Sequence, residues 1–157
     1  MAKSYQCRLD VRGYELDSFG HVNHGVYISY LEHARWVMMA QEGLTPAMFT
    51  CWQRWPVIMA IEVNYLKPTY LYDVLDIQTI VGEHSRTSIS FEHEVLRGGT
   101  PVLRAKVRSV IVNEKGRPAD IPVEVGRLWD AFPPPDPKDV PPAIALSRAT
   151  DPRLPPR

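Results

Sequence analysis

From position 17 the chain reads Asp17-Ser-Phe-Gly-His-Val-Asn-His-Gly-Val-Tyr27, and a segment with helical spacing follows at once, ending near Gln41. This sets a carboxylate on a short glycine-bearing turn, a few residues before the amides that open a helix. Those first amides have no acceptor inside the helix and carry partial positive charge, so they can hold a developing oxyanion. A fixed carboxylate beside a fixed oxyanion binder is a minimal arrangement for acyl transfer. A solvated aspartate is an anion at neutral pH, able to attack a carbonyl carbon or to take a proton from water. The plainer alternative is that Asp17 only shapes a turn, for which Asp is a favoured residue.

The neighbouring residues carry similar pairs of readings. His21 could be a second acid–base group, because imidazole titrates near neutrality, or it could brace the turn by bonding to backbone. Asn23 is most simply the helix N-cap. Tyr27 lies one turn into the helix on its apolar side, as core or pocket wall. Glu32 falls on a face where a solvated carboxylate or a salt bridge is ordinary. Cys7 and Cys51 form no CxxC pair, and the five histidines include no HExxH, so no metal and no disulfide framework is expected.

The elements that must position these groups follow from hydrophobic period. Tyr5 to Glu15 alternates as a strand. From about His24 to Gln41, Tyr27, Tyr30, Leu31, Ala34, Val37 and Met38 recur at helical spacing, while Glu32, His33, Arg35 and Glu42 fall largely between them on a solvated or interfacial face. Gly43 suits the residue just past the helix end, and Thr45-Pro46 suits the start of a short second helix to about Trp52. Four strands follow, with one face each carrying Val57, Met59, Ile61, Val63 and Tyr65; then Leu75, Ile77, Thr79 and Val81; then Ile89, Phe91, His93 and Val95; then Leu103, Ala105, Val107 and Ile111. Hairpins are expected at Gly82–Ser85 and at Arg97-Gly-Gly-Thr100, with Asn113–Pro118 closing the last strand. One strand, one long helix and four meandering strands define an α+β domain whose sheet wraps the helix.

Lys plus Arg and Asp plus Glu each number 18, so no charge excess points to nucleic acid or an anionic membrane. The N-terminal residues lack the apolar run of a signal peptide, no stretch is long and apolar enough to span a bilayer, and the chain reads as cytoplasmic. Nine of the fifteen prolines fall from Pro133 onward, which sets a flexible tail (133–157) apart from a domain over 1–132.

The order of elements, with Asp-x-x-Gly-His-Val-Asn leading into a Tyr-x-x-x-x-Glu helix, resembles the hotdog-fold acyl thioesterases, in particular the 4-hydroxybenzoyl-CoA thioesterase family. The run Tyr14–Tyr27 is similar to plant plastid acyl-carrier-protein thioesterases of the methylketone pathway and to bacterial relatives. Val63-Asn-Tyr-Leu-Lys-Pro68, Tyr72-Asp-Val-Leu-Asp76 and Gly116-Arg-Pro-Ala-Asp-Ile-Pro122 are weaker matches that support the order of elements. The resemblance implies a five-stranded antiparallel sheet round one long helix and hydrolysis of an acyl thioester on coenzyme A or acyl carrier protein. It implies Asp17 as nucleophile or general base, the backbone amide of His24 as oxyanion binder, and His21 as a further catalytic candidate. Asn23, Tyr27, Glu32, Lys67 and Arg86 are the candidate substrate contacts, with Arg86 at the nucleotide end of coenzyme A and Arg54 a further cation. His24 stands where many relatives have Asn, which leaves the amide in place and changes the side chain. No cofactor is implied beyond the coenzyme A or carrier protein of the substrate, and the assembly implied is a homodimer, commonly paired into a homotetramer. The competing reading is a non-catalytic acyl-thioester binder. No His-Phe-Pro signature supports a dehydratase.

Overall fold

The computed structural model describes residues 3–130; the boundary at 132 and the proline-rich tail lie outside them. Strand β1 (Ser4–Asp10) leads into a 3₁₀ turn (Gly13–Glu15) and then helix α1 (Val26–Gln41). Helix α2 (Pro46–Trp52) precedes β2 (Trp55–Tyr65), β3 (Val74–His84), β4 (Ser88–Arg97) and β5 (Thr100–Val112), and a 3₁₀ helix (Val123–Trp129) closes the described chain. The sheet is antiparallel throughout in the order β1-β3-β4-β5-β2, so β2 is an edge. One face packs on α1: Tyr27, Leu31 and Ala34 meet Ile77, Val95 and Leu103 in one cluster, while Met38 and Met39 meet Val81, Phe91 and Val107 in the next. This is the hotdog architecture.

Local chemistry explains the helix ends. Gly43 adopts φ 70°, the amide of Gly43 bonds to the Ala40 carbonyl and that of Leu44 to Met39, which is the Schellman closure that a glycine permits. Thr45 caps α2 through its hydroxyl, which accepts from the Met48 amide at 3.4 Å, with Pro46 as the first helical residue. The β4–β5 hairpin turns on Gly98 and Gly99, both at positive φ, as the Gly-Gly pair requires.

Four sequence expectations change. β1 ends at Asp10, because Gly13–Glu15 coils into a 3₁₀ turn whose Glu15 carboxylate accepts from the Arg12 amide and guanidinium. Gly82 belongs to β3 beside a register shift, and the turn itself is Ser85–Thr87, where the Ser85 hydroxyl accepts from two backbone amides. In β2 a bulge at Met59 breaks the alternation: Ile58, Ile61, Val63 and Tyr65 pair with buried residues of β5 and lie on the helix side of the sheet, though Ile58, Ile61 and Tyr65 stay exposed at the edge, whereas Val57 lies on the other side. A strict period of two cannot anticipate an inserted residue.

Arg35 and Glu42, expected on a solvated face, are both buried. Glu42 accepts from Lys3 and from the Tyr5 hydroxyl, tying β1 to the end of α1. Arg35 Nη1 lies 3.2 Å from Nε2 of His93, whose Nδ1 is 3.0 Å from the Thr79 hydroxyl. Burial, with Arg35 adding repulsion, pushes the His93 pKa down to about 3. The unfolded chain therefore takes up a proton near pH 6.5 that the native state refuses until about pH 3. The His93 contribution is intact above pH 6.5 and should erode on acidification by up to about 1.4 kcal/mol per pH unit. Urea midpoints of wild type and His93→Gln between pH 7 and pH 4 should diverge, with the variant less steep; parallel profiles would show that His93 is not the titrating group.

Candidate active site

The turn that carries Asp17 is held by its own backbone. Asp17 and His21 close it through the Asp17 amide to the His21 carbonyl at 2.7 Å, and Leu16 bridges Val22. Gly20 takes φ 79°, a conformation that an L side chain resists. Oδ1 of Asp17 accepts from the amides of Phe19 (2.8 Å) and His21 (3.2 Å), while no hydrogen bond reaches Oδ2 from any described residue. The carboxylate is thus oriented by one oxygen and open at the other. The turn-forming reading of Asp17 holds, and it leaves room for the other, since a turn-former can keep one oxygen free.

Helix α1 begins two residues later than its apolar period suggested. Asn23 is not its N-cap; Gly25 occupies that position, and the Asn23 side chain accepts from the Gly25 amide at 2.8 Å in an Asx turn just ahead of the helix. The Asn23 carbonyl accepts from Val26 at 3.0 Å. Between these bonds the His24 N–H has no acceptor among the described residues. The oxyanion candidate is therefore an amide in the turn before the helix, adjoining the positive end of its dipole.

Asp17, His21, His24, Tyr27, Tyr65 and Lys67 line a single open cavity of about 290 Å³. The Tyr27 hydroxyl is fixed 2.5 Å from Thr69 Oγ1, its ring meets Tyr30 and Tyr65 edge-on, and it is buried, so it forms wall rather than reacting group. His21 sets its ring edge against Tyr70, 5.2 Å away, and Tyr70 is in turn covered by Arg97, which pairs with Asp73. The Tyr65 hydroxyl donates to the His24 carbonyl at 2.8 Å. Beside the cavity, Glu15 is buried with its two oxygens shared between Arg12 and Tyr30. Burial alone would raise its pKa, but these bonds outweigh it and hold the carboxyl below the usual range.

Glu32, Arg86 and Arg54 are not brought here. Glu32 is exposed on α1 away from the cavity, and Arg86 pairs with Asp120 at the β3–β4 hairpin. Arg54 bonds to the Gln53 carbonyl, and Phe49, Trp52 and Trp55 pack into the core cluster round the end of α1. Glu62 and Asn64 point to the outer face of the sheet, into a groove with Gln78, Glu92 and Arg104. Tyr65 and Thr69 are the site residues that pattern reading missed; Tyr65 has the signature of a strand residue, and its hydroxyl reaches the site only through tertiary packing. Among the described residues no group of His, Cys, Asp or Glu is clustered to hold a metal, and no helix is long and apolar enough to cross a membrane.

A hotdog sheet that brings a carboxylate and the turn before a helix to one cleft has an arrangement suited to acyl transfer. The sequence matches the family described as the Thioesterase-like superfamily over residues 11–145, and the chain belongs to that family. It is 28% identical over 127 residues to an acyl-acyl carrier protein thioesterase of Arabidopsis thaliana chloroplasts, covering 80% of this chain and 67% of the relative. It is 37% identical over 76 residues to the long-chain acyl-CoA thioesterase FadM of Escherichia coli, covering 46% and 54%. A 1,4-dihydroxy-2-naphthoyl-CoA thioesterase from Synechocystis shares the fold at TM-score 0.77 and 14% identity, covering 82% of this chain and 97% of that one.

Because Asn retains an acceptor oxygen for Phe19 and His21, Asp17→Asn should melt close to wild type. Asp17→Ala should lose about 1 kcal/mol for each of the two bonds. Equal melting of the Asn and Ala variants would mean that the carboxylate does not hold the turn.

Proposed function

We propose that the chain hydrolyses an acyl thioester, carried on coenzyme A or on acyl carrier protein, through Asp17 and the backbone amide of His24. The observation that carries this reading is the pairing, in one cavity, of a carboxylate oxygen without a partner and a backbone N–H without an acceptor. The thioester carbonyl oxygen would accept from His24 N–H, where charge develops as the carbonyl carbon becomes tetrahedral. Oδ2 of Asp17 then either adds to that carbon and expels the thiolate, leaving an acyl anhydride for water to cleave, or removes a proton from the attacking water. Both routes end in one carboxylic acid and one thiol. A thiolate leaves readily, so no separate acid is required, and His21, braced on Tyr70, serves to hold the turn. The apolar wall of Tyr27 and Tyr65 suits an acyl chain or aromatic ring, and Lys67 at the rim suits an anionic group of the carrier. The carrier group is part of the substrate, and the reaction needs no further cofactor.

Thiol release measured across an acyl-CoA panel should be clear for wild type and fall by about 10³-fold or more in Asp17→Asn. Full turnover in the variant refutes the role of Asp17; tight acyl-CoA binding with no release from wild type favours the non-catalytic binder.

The same reading includes a homodimer, paired further into a tetramer. Edge strand β2 pairs with β5 on one side, leaves its outer side without a partner strand and exposes Val57, Ile58, Met59 and Ile61, with no charge on that apolar run to deter a partner strand. Light scattering of wild type should give a dimer or tetramer, and Ile58→Glu with Ile61→Glu should shift it to monomer. A monomeric wild type would contradict this assembly.

A further inference from the structure

The His24–Gly25 peptide unit is gripped at both ends. Its carbonyl oxygen accepts from the Tyr65 hydroxyl at 2.8 Å, and its N–H donates to Asn23 Oδ1 at 2.8 Å. The preceding unit, which supplies the His24 N–H, is held only by its carbonyl, which accepts from Val26. The free amide therefore takes its direction from a neighbour that cannot rotate while both grips hold. Gly25 follows at once, the residue whose backbone gives way most easily, so an ungripped turn here would sample many orientations. Tyr65 is half exposed, yet its ring stands edge-on to Tyr27 and its hydroxyl is spent on backbone, an arrangement that solvation alone does not explain.

We propose that Tyr65 is a positioning residue for the reaction: its hydroxyl locks the His24–Gly25 peptide so that the His24 N–H stays aimed at the carbonyl oxygen of the thioester. The proposal rests on the reading of His24 as the oxyanion donor. Tyr65 ends β2, the exposed edge strand, so the grip runs from the sheet edge to the helix start and ties the amide to the part of the fold that a second copy would order. A donor of this kind acts more strongly on the transition state than on the bound ester, so loosening it lowers kcat and spares KM. Losing such a donor outright costs about 10²–10³-fold, and misdirecting it costs less.

The test is steady-state thiol release by wild type, Tyr65→Phe, Asn23→Ala and the double variant, with Asp17→Asn alongside. Tyr65→Phe keeps the ring and should lose about tenfold in kcat with KM within about twofold. The double variant should lose less than the product of the two single losses, because each grip acts on the same peptide. Losses that multiply would mean that the hydroxyl acts on the substrate directly, and would overturn the positioning role. A lowered melting temperature with unchanged kcat would reduce Tyr65 to a structural bond and overturn it as well. Should Asp17→Asn retain full turnover, the underlying site assignment fails, whatever Tyr65 does; Asp17-dependent turnover that is indifferent to Tyr65→Phe refutes only this inference.

Discussion

The proposed chemistry depends on one backbone N–H, that of His24, for which no described residue supplies an acceptor. The turn before α1 pairs Gly25 with the Asn23 side chain, Val26 with the Asn23 carbonyl and Ile28 with Gly25, and the N–H of the exposed His24 has no acceptor among the described residues. His24 lines the cavity that Asp17 shares. The neighbouring bonds fix the turn and leave that N–H available. The Asp17 loop follows the same rule, committing Oδ1 to two amides and leaving Oδ2 open.

The rest of the fold is support for that turn. Val22 bonds to the Thr69 carbonyl and Asn23 to that of Glu15, so the loop after β1 and the loop before β3 clasp the Asp17–His24 segment between them. Glu15 joins Arg12 to Tyr30 and so anchors the approach to α1. Behind these contacts lie two continuous core clusters, one under the site and one round the far end of the helix. A buried Arg35–His93–Thr79 chain crosses the middle of the core, where burial and the Arg35 charge hold the His93 pKa down.

The sequence was most legible where one local rule governs. Periods of two and 3.6 gave the faces of β3, β4 and β5 and the buried stripe of α1, and Gly43, Thr45-Pro46 and Gly98-Gly99 marked ends and turns by backbone preference alone. Asp17 was legible as a site candidate because its motif joins a turn-former to a helix start. Less legible were features that depend on what lies across the sheet. The Met59 bulge inserts a residue that no period announces, and Arg35 hides because its partner, His93, is far away in the chain. Asn23 caps a turn rather than the helix because His24 and Gly25 coil before α1 begins. Tyr65 read only as a strand residue, since nothing local tells where a tyrosine hydroxyl will land.

The most direct measurement is a crystal structure with an inert ketone analogue, in which a methylene replaces the thioester sulfur. The proposed site requires the ketone oxygen about 2.9 Å from the His24 nitrogen and the carbonyl carbon within about 3.5 Å of Asp17 Oδ2, or of one water bound to it. A ketone oxygen seated on any other donor, with the His24 N–H turned to solvent, would contradict it.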